Sequence, residues 1–386
     1  MEKTSFGAEN FINNYLSMLK NRKIALLSNQ SSIVYDKFSI FELLLKKGIK
    51  IEKVFFPQHG FFLDKQDNMK ESENFLFDDT KFISLYGDKL SPSDDDLNDI
   101  DIILYDLQDT GTRIYTFVST LYLILKSLNN KDIKLIILDR PNPLSGNLIE
   151  GNTVENRFLS FVGVFPIPMV YGLTPAELSG FFIKEENLNI DIKIIKMTNW
   201  NRDMFFEDTE RFWYPPSPNM PYHTTATVYP ATVLLEGTNL SEGRGTTRPF
   251  EIIGAPFIDS TLLSNELNSL ECEGIDFIPY SFTPTFNKFS GEFCRGVFLK
   301  INDKKIFKPY KTGILILKKI KELYGDKFKW SKPPYEYEYE KSPMDIITGT
   351  DNVRKFIDGE NNSDIKNLTF TPPDYINSIK NSFLYL

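Results

Sequence analysis

Apolar runs of strand length, each closing on a polar tip, recur through residues 24–143. Ile24 to Leu27 ends in Ser28, Asn29, Gln30, Ser31 and Ser32; Val54 to Phe56 ends in Pro57, Gln58, His59 and Gly60; Phe82 to Leu85 ends in Tyr86 and Gly87. Ile102 to Leu104 gives way to Tyr105, Asp106, Gln108, Asp109, Thr110, Gly111, Thr112 and Arg113, and Ile133 to Leu138 gives way to Asp139, Arg140, Pro141, Asn142 and Pro143. Runs this short, bounded by turn residues, read as buried strands. Between them the apolar spacing predicts helices over residues 9–20, 38–47 and 114–128, while 61–80 reads as a long polar loop and SPSDDD, Ser91 to Asp96, as a solvated turn. Five strands with crossover connections predict a Rossmann-like parallel sheet over residues 1–160. Ligands of such sheets bind at the carboxyl ends of the strands, where the polar tips fall.

From Pro166 the chain becomes irregular and proline-punctuated. Thr174 with Glu177 three residues on has the capping-box spacing, so Glu177 is expected to cap a helix rather than to act in catalysis. A strand is expected over 191–197, a helix over 262–270, strands over 277–282 and 293–301, a helix over 310–324, and short helices beyond 330. Residues 161–386 therefore read as a second, α+β domain. Within it, EGTNLSEGRGTTRPFE (Glu236 to Glu251) packs glycines, hydroxyls, carboxylates and Arg244 together without an apolar period. Such a backbone must be tied down by specific hydrogen bonds or by a ligand.

Composition narrows the function classes. A net charge of −8 over 386 residues, from 44 basic and 52 acidic side chains, gives no cation-rich face for nucleic acid. Two histidines exclude a multi-histidine metal centre, though not carboxylate-bound Mg²⁺ or Ca²⁺; no cofactor is expected. Cys272 and Cys294 are too few and too far apart for a zinc motif or a disulfide framework. No GxGxxG follows the first strand and no GxxxxGK[ST] occurs, so the sheet lacks the usual phosphate fingerprints. The N-terminal stretch has no apolar signal core and no window reaches membrane-spanning length. A cytoplasmic protein without membrane association is expected from the sequence as written, or an exported one if a leader preceded it.

The strand tips gather Asn29, Gln58, His59, Asp106, Gln108, Asp109, Arg113, Arg140 and Asn142. Amides, carboxylates and arginines in that number suit a polyhydroxylated, acidic ligand, because each desolvated hydroxyl needs a partner. The segments FFPQHGFF, SLYG, YDLQDTGTRIYTF, ILDRPNPLSG, IEG, PSPNMP and EGTNLSEGRGTTRPFEIIGAP, in that order, resemble the exo-β-N-acetylmuramidase family typified by NamZ. The resemblance implies a cleft between a Rossmann-like domain and a C-terminal α+β domain, where terminal N-acetylmuramic acid is released from peptidoglycan fragments in cell-wall recycling. The partner it implies is a peptidoglycan-derived saccharide.

Glycoside hydrolysis needs a carboxylic acid at the leaving oxygen and a second carboxylate, unless the acetamido group of the substrate serves instead. By the resemblance, Glu150 matches the glutamate of the family's Val-Glu-Gly segment and is the first candidate. His59 and Glu71 complete the catalytic set, and the strand-tip residues together with Glu242 and Arg244 are assigned to substrate. This chain departs from the family where Gln58 precedes His59-Gly60, and where Met69 replaces a second glutamate. Glu71, Asp67 or Asp64 would then have to take over. The alternative is a muropeptide-binding protein without turnover. A phosphoryl-transfer enzyme using the aspartates with Mg²⁺ is a third reading, resting on fold analogy.

Overall fold

The computed structural model describes residues 3–66, 73–77 and 79–386. Strands β1 (Ile24–Ser28), β4 (Ile51–Phe56), β5 (Phe75–Phe77), β6 (Thr80–Ser84), β7 (Ile102–Asp106), β8 (Lys134–Leu138) and β9 (Ile192–Ile195) form one sheet in the order β5-β6-β4-β1-β7-β8-β9; β2 (Ile33–Val34) and β3 (Phe38–Ser39) form a small hairpin beside it. Every pairing in the large sheet is parallel except β5 with β6. Numbered in chain order, the six parallel strands run 3-2-1-4-5-6, the doubly wound Rossmann order, whose crevice opens where the order reverses. That reversal lies between β1 and β7, in register at Leu27 with Tyr105 and Ser28 with Asp106.

Both faces are covered, which is why the strands read as continuous apolar runs rather than alternating ones. Ala25, Leu27, Phe55, Ile103, Tyr105, Leu135 and Ile137 point into the larger core, with α4 (Phe117–Leu128) and α5 (Pro175–Glu185). Leu26, Val54, Phe56, Leu104, Ile136 and Leu138 point the other way, toward α1 (Gly7–Asn14) and α2 (Ile40–Lys46). The larger core continues into the second half of the chain, so the two halves share apolar packing.

The sequence places the end of the first domain at residue 160, yet the sheet takes its last strand, β9, from beyond that point. Polar, irregular chain between β8 and α5 has the look of a linker. SPSDDD is a capped single turn, α3 (Asp94–Leu97), with Ser93 and Asp96 exchanging hydrogen bonds as a capping box. The long loop contains the edge strand β5, too short for periodicity to reveal. Thr174 and Glu177 do form the predicted capping box on α5, and Glu177 also pairs with Arg202 at 2.7 Å.

In the second half, α6 (His223–Thr232), α7 (Ser260–Asn268) and α8 (Pro309–Tyr324) pack with an antiparallel sheet of β10 (Ile252–Ala255), β12 (Cys294–Ile301) and β11 (Ile275–Phe282), in that order. Short helices α9 (Pro343–Thr348) and α10 (Asn352–Asp358) follow.

Candidate active site

A cleft opens where the loops after β4 and β7 meet segments of the second half. Among its lining residues are Gln58, His59, Tyr115, Thr116, Ser217, Asn219, Tyr229, Glu236, Arg244, Tyr335 and Glu336, and it encloses about 30 Å³. His59 takes a left-handed backbone (φ +76°) and is followed by Gly60 (φ +81°), so a tight turn ends β4 and carries the imidazole to the cleft. Its Nδ1 lies 3.1 Å from the Lys65 carbonyl; a carbonyl only accepts, so Nδ1 carries the proton and the ring orientation is fixed. Thr116 donates to the Gln58 Oε1 at 2.7 Å, which turns the amide nitrogen toward Glu336 Oε1 at 3.2 Å. Tyr86 donates to the other Glu336 oxygen at 3.0 Å.

Across the cleft, Arg244 bridges two carboxylates, Glu236 at 2.6 Å and Glu242 at 3.1 Å, and Lys288 reaches Glu242 at 3.0 Å. Tyr335 donates to the second Glu236 oxygen at 2.7 Å. Burial, with the Glu236 and Glu336 charges beside it, holds the Tyr335 phenol well above the usual range, so it stays a donor. The glycine-rich run is tied down by its own hydrogen bonds: Phe250 N–H to the Glu242 carbonyl, Thr285 N–H to that of Gly245, and a Ser241 bridge to Gly254. Gly243 and Gly245 have φ of +77° and +78°, and a Cβ on Gly245 would lie 2.6 Å from the Phe286 carbonyl.

Of the residues singled out in the sequence, Gln58, His59 and Arg244 line this cleft, and Glu242 holds Arg244 from behind. The other strand-tip residues are not among those lining it. Asp106 and Arg140 form a buried two-bond pair with each other, and Arg140 also donates to the Ile33 carbonyl. Arg140 therefore has a carboxylate already. Arg113 is buried and donates to the carbonyls of Asn152, Ile167 and Ile347 (2.8–3.3 Å), stitching three segments together; burial lowers its guanidinium to about 10. Asn142 bridges the Leu173 carbonyl and the Leu144 amide, Asn29 folds back onto Ser31, and Gln108 donates to the carbonyls of Asp109 and Pro141. Asp109 accepts from the amide of Thr110 at 2.6 Å, and burial pushes it up to about 7. Glu71, Asp67 and Met69 lie outside the described residues; Asp64 is exposed and pairs with Lys65 at 3.3 Å.

Glu150 receives a different setting from the one expected. It is buried, both oxygens accept backbone amides at the first turn of α8 (Tyr310 at 3.0 Å, Lys311 at 2.8 Å), and it is not among the described residues lining the cleft. A carboxylate there satisfies orphan N–H groups and the helix dipole. Glu150→Ala is expected to cost about 1–2 kcal/mol of stability, as loss of a helix cap does, with kcat unchanged. Chemical unfolding and steady-state kinetics on the same preparation check this; a folded variant that has lost turnover overturns it.

Sequence reasoning missed Glu236, Tyr115, Thr116, Tyr335 and Glu336. Glu236 opens the glycine-rich run already singled out, and only its being glutamate in that run marked it. Tyr335 and Glu336 lie in PPYEYEYE, where nothing local separates one glutamate from the next.

Two family models cover almost the whole chain: exo-β-N-acetylmuramidase NamZ, N-terminal, matches residues 24–224 and exo-β-N-acetylmuramidase NamZ, C-terminal, matches 227–385. The chain belongs to the exo-β-N-acetylmuramidase NamZ family. The first match ends, and the second begins, within α6, a few residues after the cleft-lining Ser217 and Asn219. A relative from Bacillus subtilis (strain 168), peptidoglycan β-N-acetylmuramidase NamZ, is 41% identical over 331 residues, 85% of this chain and 80% of that protein. Crystal structures of two DUF1343 family proteins from Bacteroides fragilis NCTC 9343 superpose over all of this chain and 99% of theirs, each at 26% identity, with TM-scores of 0.89 and 0.75.

Proposed function

We propose that this protein is a glycoside hydrolase that releases terminal N-acetylmuramic acid from peptidoglycan fragments, and that it does so in the cleft lined by Gln58, His59, Arg244, Glu236 and Glu336. Membership of the NamZ family supports the reaction class, and the B. subtilis relative is named for acting on peptidoglycan. The observation that carries the assignment to this cleft is the meeting of two carboxylates there, Glu236 and Glu336. Glycoside hydrolysis asks for a proton at the leaving oxygen and for negative charge near the anomeric carbon. Ser217, Asn219 and Tyr229 add hydroxyl and amide groups suited to sugar hydroxyls. Position 69, where the resemblance expects a second glutamate, is not called upon.

Among the described residues no helix is long and apolar enough to cross a membrane. Small wall fragments recovered in cell-wall recycling are the substrates this reading favours.

Incubation with a chromogenic N-acetylmuramide and with an N-acetylmuramyl disaccharide is expected to release the terminal sugar from both. No turnover of any amino-sugar glycoside by folded protein sinks the reading. Calorimetric binding of a muropeptide without hydrolysis would instead establish a binding protein.

A further inference from the structure

The cleft encloses about 30 Å³, and that is at odds with a sugar as its ligand. One water takes up about 30 Å³ in the liquid, whereas pockets that bury organic ligands run to about 300–1,000 Å³. A saccharide enters only if a wall moves.

Most walls are fixed through the backbone. Gln58 and His59 follow directly on β4, Thr116 caps α4, and Arg244 stands in a run whose backbone is bonded at Ser241 to Gly254 and at Gly245 to Thr285. Residues 332–341 are held differently. Tyr335 and Glu338 exchange backbone hydrogen bonds at 2.8 and 2.9 Å, and among the described residues these are the only backbone-to-backbone bonds that residues 332–341 make. Between them, Glu336 and Tyr337 have φ of +42° and +67°, the left-handed pair that closes a two-residue hairpin. The segment is a self-contained hairpin, and side chains tie it to its surroundings.

Those side chains reach both halves of the chain. Tyr335 donates to Glu236 at 2.7 Å, and just before the hairpin Ser331 donates to the carbonyls of Glu236 and Thr238. The tip crosses to the strand loops. Glu336 accepts from Gln58 at 3.2 Å and from Tyr86 at 3.0 Å, and the Tyr337 hydroxyl accepts from the Gly87 amide at 2.9 Å. The Tyr337 ring meets those of Tyr86 and Phe161 edge-on, with centroids 5.5 and 5.3 Å apart.

We propose that this hairpin is a lid, whose tip swings away from Gln58, Tyr86 and Gly87 to admit the saccharide. The identity of that ligand rests on the glycosidase reading given above. With a sugar in the cleft the tip cannot return to the same contacts, so these contacts stabilise the empty form and oppose binding. Lids of this kind set the rate of entry and release in many enzymes.

Tyr337→Phe tests the lid by removing the hydroxyl that holds the Gly87 amide while keeping the ring. The open form gains population, so the Kd for N-acetylmuramic acid by calorimetry and the KM for an N-acetylmuramide are both expected to fall, by about 2–10-fold for one hydrogen bond. A residue that merely braces the site would give weaker binding instead, and an unchanged or raised Kd overturns the proposal. A second variant ties the tip down: Tyr86→Cys with Tyr337→Cys, joined by a short bis-thiosulfonate spacer. Binding and turnover are expected to be lost on joining and restored on reduction, with each single variant, treated alike, still binding sugar. Full binding by the joined protein overturns the lid. Sugar binding that follows the lid in both variants, without hydrolysis by the unaltered protein, removes the glycosidase reading and leaves the lid standing; no binding of any muramyl sugar by the unaltered protein removes both.

Discussion

Arg244→Met sharply reduces turnover and destabilises the fold: this is the expected result with the largest effect. Arg244 carries the only guanidinium that the described residues bring to the cleft wall, and it bridges Glu236 at 2.6 Å and Glu242 at 3.1 Å. Methionine keeps much of the packing against Phe250, which lies 4.9 Å from the guanidinium, and removes the charge. Breaking one side of a buried pair leaves an uncompensated carboxylate and costs about 3–5 kcal/mol. Glu242 retains Lys288 in the variant. Activity is expected to fall about 10²–10³-fold, the scale of removing one group that fixes charge at a reacting centre. The double variant Arg244→Met with Glu236→Gln is expected to regain stability, because the pair is non-additive, yet to stay inactive. A single variant that is folded and turns over within about tenfold of the original protein, well short of that scale, would show that this ion pair is scaffold alone.

The second large effect is on stability as pH rises from about 5 to about 8. Burial pushes Asp109, Asp139 and Glu150 each up to about 7, from ordinary values of 3.8 for aspartate and 4.5 for glutamate. Between the unfolded and folded values the native state binds more protons than the unfolded chain, so stability falls with pH through that window and levels off above about 7. Asp36 and Asp96, held down by lysine and arginine partners or a capping serine, act in the opposite sense and weaken the fold below about pH 4. Maximum stability is therefore expected at about pH 4. A carboxyl that titrates one pH unit higher in the folded protein than in the unfolded chain contributes about 1.36 kcal/mol, and three such groups together give a decline on the order of several kcal/mol by about pH 8. Urea unfolding across this pH range measures it, and Asp139→Asn is expected to flatten the slope by about one proton. A flat profile across the window is incompatible with three buried carboxyls raised this far.

The sheet was legible because its strands are buried on both faces, and the resulting apolar runs end sharply at polar tips. Strand β9 was legible as a strand but not as part of this sheet, since pairing with β8 is a long-range fact that no local pattern carries. Short elements such as β5 and β10 left no period to read. The strand tips drew attention to one edge of the sheet, where most of their polar residues hydrogen-bond one another or the backbone. Arg140 and Asp106 have the composition of a ligand-binding pair and the geometry of an internal one. Glu150 has the right residue type and is spent on a helix terminus. Glu336, which lines the cleft, meets Gln58 across a separation of 278 residues that no local pattern could reveal.

That separation has a consequence for when the protein becomes competent. Synthesis delivers every strand of the parallel sheet, and with it Gln58 and His59, well before it delivers Tyr335 and Glu336. A nascent chain can fold its scaffold and still present an incomplete cleft, so hydrolytic competence arrives as one of the last events of the protein's own production.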